Sequence, residues 1–140
     1  MGKGLSSARC LAFRLSPGAD LKREIEQCVG ETTYRAAFVT SAVGSLASAV
    51  IRFADQREST TLQGPFELIS LSGTVSDGHS HLHLSFAGST GETLGGHLCY
   101  GSLVYTTAEI LVTLLPELHF TRAPDPQSGF AELVISGKAD

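Results

Sequence analysis

Apolar residues along this chain come in short runs separated by Gly, Ser, Thr and Asp, and the spacing within each run predicts its element. Leu11, Phe13 and Leu15 alternate with Ala12 and Arg14, the period of a half-buried strand, before Ser16-Pro17-Gly18 interrupts it. The period then changes to that of a helix. Leu21, Ile25, Cys28 and Val29 fall on one face, Asp20 stands in a capping position, and Lys22, Arg23, Glu24 and Glu26 form the solvated side. Gly30 occupies the place where a left-handed C-terminal residue is wanted.

From there the β pattern dominates. Tyr34 to Val43 predicts a buried strand ending at Gly44, and a turn at Gly44-Ser45 would start the next, Ala47 to Phe53. Thr60 to Leu62 and Phe66 to Val75 continue the pattern around a bend or bulge at Gly64-Pro65. His81 to Ala87 and Leu94 to Cys99 are further strands, joined through Gly88-Ser89-Thr90-Gly91-Glu92. Thr107 to Leu115 reads as a strand because of Ile110, Val112 and Thr113; Leu118 to Arg122 and Phe130 to Ser136 flank a polar loop. The chain shows no internal repeat or linker. The expected fold is α+β: a mainly antiparallel sheet with one early helix, in a single domain over residues 1–140.

Composition narrows the class. With 140 residues, 42% of them hydrophobic, the chain has the size of one ordinary domain and enough apolar side chain for its own core. No apolar stretch approaches the roughly 18 to 20 residues that cross a bilayer, and Met1 to Ser7 lack the apolar segment of a secretory signal. A soluble, cytoplasmic protein is expected. Cys10, Cys28 and Cys99, odd in number and without CxxC spacing, read as small core or semi-core side chains in a reducing compartment. A net charge of −4 has the wrong sign for a surface that must neutralise phosphates, which argues against nucleic acid as a direct partner. Met1-Gly2-Lys3-Gly4-Leu5-Ser6 fits the N-myristoylation pattern at Gly2, although many unmodified chains match it.

Chemistry gathers in His81-Leu82-His83-Leu84-Ser85-Phe86. Successive strand side chains point to opposite faces, so Leu82, Leu84 and Phe86 belong to the core face and His81, His83 and Ser85 to the other. Imidazoles at i and i+2 on a strand are close enough to ligate one ion. His97 supplies a third ligand if Ala87 faces Thr93 across the Gly88 to Glu92 loop, because that register places it opposite His83. A slip of one residue would turn His97 to the far side. Gly95 and Gly96 remove side-chain bulk where an ion or its water would approach. A three-histidine site leaves a coordination position open; Zn²⁺ is the default divalent ion, with Ni²⁺, Co²⁺ and Fe²⁺ as alternatives. The competing reading is a set of ordinary polar residues on a wet sheet face.

Other polar residues receive plainer readings. His79, in a turn, reads as a surface residue, and His119 as a hydrogen-bonded structural one. Glu67 lies inside the apolar run Phe66 to Leu71 and must find a partner or be exposed. It is either a general base or ligand partner beside the metal, or one end of a salt bridge to Arg52, Arg57 or Arg122. Ser70, Ser72 and Thr74 alternate along one strand, with no mark of an activated nucleophile. Leu103-Val104-Tyr105 fits either core or an interface.

The segments Gly64 to Val75, His81 to Ala87 and Gly91 to Leu98 together resemble the core of the PPC (plant and prokaryote conserved) domain, also called DUF296. Ala42-Val43-Gly44-Ser45-Leu46 with Arg52, and Phe120-Thr121-Arg122 through Gly129-Phe130 to Leu133, extend the likeness over nearly the whole chain. The resemblance implies an antiparallel-sheet domain assembled as a homotrimer, and a metal held at His81, His83 and His97 as in stand-alone prokaryotic members. Plant members carry AT-hooks and act as nuclear DNA-associated regulators. No Arg-Gly-Arg-Pro arm able to enter a minor groove is present in this sequence.

Two functions therefore stand as expectations. One is a metal-dependent enzyme or small-molecule-binding protein, with Glu67 as candidate base and Arg52 as an anion-holding residue. The other is a trimeric interaction module or DNA-associated regulator.

Overall fold

A computed structural model describes residues 2–137. Its elements run β1 (Arg9–Leu15), α1 (Leu21–Gly30), β2 (Ala37–Arg52), β3 (Thr60–Ser76), β4 (His79–Ala87), β5 (Thr93–Leu98), β6 (Val104–Leu114), β7 (Leu118–Pro124) and β8 (Ala131–Gly137). Six strands form one antiparallel sheet in the order β1-β6-β2-β3-β4-β5, and β7 with β8 forms a separate ribbon. The α+β expectation agrees with this architecture. A short pairing of Ile51 with Leu98 and Arg52 with His97 also joins β2 to β5. That pairing closes β2, β3, β4 and β5 into a ring of four strands.

Helix α1 forms where the spacing placed it. The Asp20 carboxylate accepts from the Arg23 N–H at 3.2 Å and from the Gly101 N–H at 2.8 Å, so the cap also fastens the helix to the loop after β5. Leu21, Ile25 and Val29 are buried against the sheet, in one core with Leu68, Leu71, Leu82, Leu84, Phe86 and Leu98. Ala36, Leu118 and Phe120 make a smaller cluster beneath the ribbon. No helix among the described residues is long and apolar enough to cross a membrane.

Several local expectations are corrected. Gly30 is the last helical residue and has no left-handed backbone; Glu31, at φ −72°, follows in the right-handed region. The Thr32 side chain explains the difference, because its Oγ1 donates to Val29 O at 2.7 Å and satisfies a terminal carbonyl. Gly44-Ser45 is not a turn but the middle of the sixteen-residue strand β2. Gly44 has φ +155°, and a Cβ there would collide with the Thr107 carbonyl oxygen of β6, so the glycine permits a close strand crossing. The first part of β2 is half-buried, not wholly buried: Ala37 and Val39 face the core while Phe38 is exposed. Thr60 to Ser76 is likewise one strand, with the bend at Gly64-Pro65 absorbed by a register shift between Leu46 and Ser48. Cys10 is exposed, whereas Cys28 and Cys99 are half-buried. In Leu103-Val104-Tyr105 only Val104 belongs to the core.

Candidate metal centre

Register builds this site. Ala87 pairs with Thr93 and His83 with His97 across the β4–β5 hairpin, as the loop length requires. Directly opposed residues of antiparallel strands share a face, so His81, His83 and His97 all stand on the outer side of the ring. Leu82, Leu84, Phe86 and Leu98, interleaved with them, are buried and anchor the two strands from within. On the neighbouring strand Ser72 opposes His83 and Thr74 opposes His81. On the closing strand Arg52 opposes His97. One outer face thus carries Arg52, His97, His83, Ser72, His81 and Thr74 from four adjacent strands.

The imidazoles meet closely. One nitrogen from each ring lies within 4.8 Å of the others, and His81 Nε2 is 3.2 Å from His83 Nε2. Two nitrogens on one tetrahedral zinc, each about 2.0–2.1 Å from it, stand roughly 3.3 Å apart. The His81–His83 spacing fits that edge, and the His97 nitrogen lies within 4.8 Å of both. Ser72, Gly73 and Thr74 with His81 and His83 line a shallow hollow of about 170 Å³, open to solvent.

Electrostatics favour the neutral form of His81 and His97. Burial, followed by the Arg52 guanidinium and the neighbouring basic groups, pushes His97 down to about 4. Burial and the positive fields of His83 and Arg122 lower His81 as well, against an opposing pull from Glu132. Rings held neutral near pH 7 keep lone pairs free for an ion.

Glu67 is not among these residues. It opposes Ala87, four positions along β4 from His83, which at about 3.3 Å per residue leaves roughly 13 Å between it and the nearest histidine strand position. Its carboxylate makes no salt bridge to Arg52, Arg57 or Arg122 among the described residues, and it lines a separate groove of about 240 Å³ with Ser45, Phe66, Tyr105 and Thr106. Glu67 is exposed at a strand position facing solvent, apart from the histidines of its own chain. His79 is exposed, and His119 lies 3.3 Å from Asp77 in a structural contact.

The sequence reading missed Arg122 as a member of the site. Its Nη2 donates to Thr74 Oγ1 at 3.1 Å, which brings the ribbon strand β7 over the edge of the hollow. The alternation of Ser72 and Thr74 opposite the His-x-His strand was the available signal, but nothing in it points to residue 122.

Residues 2–116 match the sequence profile of the Plants and Prokaryotes Conserved (PCC) domain. Among curated proteins, the bifunctional protein GlmU of two Synechococcus strains is 46% identical to this chain over 129 and 134 residues, 92% and 96% of its length. The chain spans only about a fifth of the length of those relatives, 20% and 22%. A hypothetical protein from Salmonella enterica is 40% identical with a TM-score of 0.95, covering 97% of this chain and 99% of that one. A metal-containing protein from Archaeoglobus fulgidus is 32% identical with a TM-score of 0.81, covering 96% and 99%.

Proposed function

Because the chain belongs to the Plants and Prokaryotes Conserved (PCC) domain family, and because three of its imidazoles converge, we propose that His81, His83 and His97 hold one divalent ion that serves a small-molecule site. Zinc is the ion most suited to three neutral nitrogen donors with room for a further ligand. The 3.2 Å approach of His81 to His83 carries the reading, and the metal-containing relative from Archaeoglobus supports it.

A bound ion of this kind supplies Lewis acidity and a water of lowered pKa. The chain's own residues define how a ligand would meet it. The hollow beside His81 and His83 gives access from solvent, Ser72 and Thr74 offer hydroxyls, and Arg52 places a cation next to His97. With Glu67 remote, no carboxylate of β3 reaches the centre, so the best-supported activity is metal-assisted binding or polarisation of a small molecule.

Assembly as a homotrimer is part of this proposal. Val43, Ile69 and Tyr105 are each more than half exposed on the adjacent strands β2, β3 and β6, an apolar surface that further copies of the chain would cover. Sedimentation of the purified protein at trimer mass supports this, and a monomer at micromolar concentration refutes it.

Elemental analysis of the untagged protein tests the centre itself. Close to one transition-metal ion per chain, lost in His83→Ala, is the expected result. No stoichiometric ion after growth and dialysis in zinc-containing buffer would end the proposal.

A further inference from the structure

The candidate metal centre is flanked on two sides by guanidinium groups that no carboxylate of the described residues pairs with. Arg52 opposes His97 on the closing strand, and its Nη1 donates only to the Gln56 carbonyl at 3.3 Å. Arg122 comes from the ribbon, and its Nη2 donates to Thr74 Oγ1, the residue opposite His81. Both arginines are half-buried. The salt bridges among the described residues join Lys22 to Glu26, Arg35 to Asp77 and His119 to Asp77, and involve neither of them.

The surrounding charges do not cancel this pair. Lys22, the third cation felt by His81 and His97, is committed to Glu26 and Ser80. Glu132 is the acid felt by His81, and it makes no ion pair with Arg122. Among the described residues neither guanidinium is ion-paired, in a chain whose net charge is −4. Cations left unpaired around an open metal position in an acidic protein are placed to receive negative charge from a ligand. An arginine fork matches the two oxygens of a carboxylate or phosphate, while the hydroxyls of Ser72 and Thr74 complete a polar floor.

We propose that the ligand of this centre is a small oxyanion, a carboxylate or a phosphate, held between the metal ion, Arg52 and Arg122. The proposal rests on the three-histidine metal reading. It assigns Arg122, on the ribbon outside the PCC-matched segment, to ligand selection.

The test uses the full chain loaded with zinc, its metal content measured in every sample. Isothermal titration with inorganic phosphate and, separately, with malonate separates the two oxyanion classes. Binding of one or both, weakened at least tenfold in Arg122→Gln and in Arg52→Gln with zinc content unchanged, supports the proposal, and partial recovery in Arg122→Lys strengthens it. Stoichiometric zinc with neither anion bound, or with binding indifferent to both substitutions, overturns it while leaving the metal centre standing. Absence of zinc from the wild-type chain would remove the metal reading, and this proposal with it.

Discussion

Lys22 and Glu26 form a buried ion pair on α1, with Nζ 3.2 Å from Oε1, and between them they hold Ser80, the residue before His81. Lys22 donates to the Ser80 carbonyl at 2.9 Å and to its Oγ at 2.7 Å, and the Ser80 hydroxyl donates to Glu26 at 2.6 Å. Glu26 also accepts from the Tyr100 hydroxyl at 2.7 Å, just past β5. One helix thus ties down both strands that carry histidines. Lys22→Ala would leave the Glu26 carboxylate buried without its cation, so a loss of about 3 kcal/mol is expected. Urea denaturation of the metal-free protein measures it; a loss under 0.5 kcal/mol, within the range of an ordinary surface change, would contradict the structural role.

Gly73 gives a second, purely steric prediction. It has φ +140° and lies between Ser72 and Thr74, where an added Cβ would collide with the His81 carbonyl oxygen. Gly73→Ala must push β3 and β4 apart at the first histidine, so metal affinity should fall at least tenfold and stability by about 2 kcal/mol or more. Gly78→Ala is the control: it shares the strained backbone at φ +76° but has no atom within 4 Å of an added Cβ. Zinc titration of both variants separates strain from displacement, and equal affinities would refute the steric account.

The contrast between these two sets of residues explains what was legible in the sequence. His81 and His83 declare a shared face by their spacing, and the five-residue loop fixes the register that brings in His97. Both are local facts. Arg122 joins the site only because a separate ribbon folds over β3, a tertiary contact between positions 48 residues apart that no periodicity encodes. Glu67 is the opposite case: an acid in an apolar run looks constrained, yet alternation places it on the solvent face of β3. The expected turn at Gly44 failed because a glycine that permits close strand crossing has the same local signature as one that permits reversal.

Charge makes the DNA-associated alternative testable. The chain is acidic, and its arginines around the histidines make a compact cluster suited to a small anion, not an extended basic stripe. Gel-shift titrations at 50 and 200 mM salt should show no tight, steeply salt-dependent binding to duplex DNA. Sub-micromolar binding with a steep salt slope would favour the regulatory reading.

Acid should weaken the metal-free protein through His97. Its folded pKa of about 4 lies below the ordinary value of 6.5, so the unfolded chain takes up a proton before the folded one does. The sign follows: stability is unaffected above about pH 7, declines as pH falls through the interval from 6.5 to about 4, and levels off below it. His97 is partly exposed, which screens the effect to about 1 kcal/mol. Urea midpoints of chelator-treated protein at pH 7 and pH 4.5 give the slope, and His97→Gln should flatten it. An unchanged slope in that variant would assign the acid sensitivity to other groups.

Removing the ion provides the last and broadest check. An ion that binds only the folded state stabilises it by about 2.7 kcal/mol at a free concentration one hundred times its Kd. For a chain of 140 residues that corresponds to a Tm higher by about 10 °C in zinc than in chelator. His83→Ala should abolish the difference, because two imidazoles hold an exposed ion far less tightly than three. Glu67→Ala, roughly 13 Å away by the β4 register, should preserve it in full. The paired measurement distinguishes an ion held by converging histidines from one bound loosely to surface carboxylates, since in the second case Glu67→Ala would shift the Tm response and His83→Ala would not.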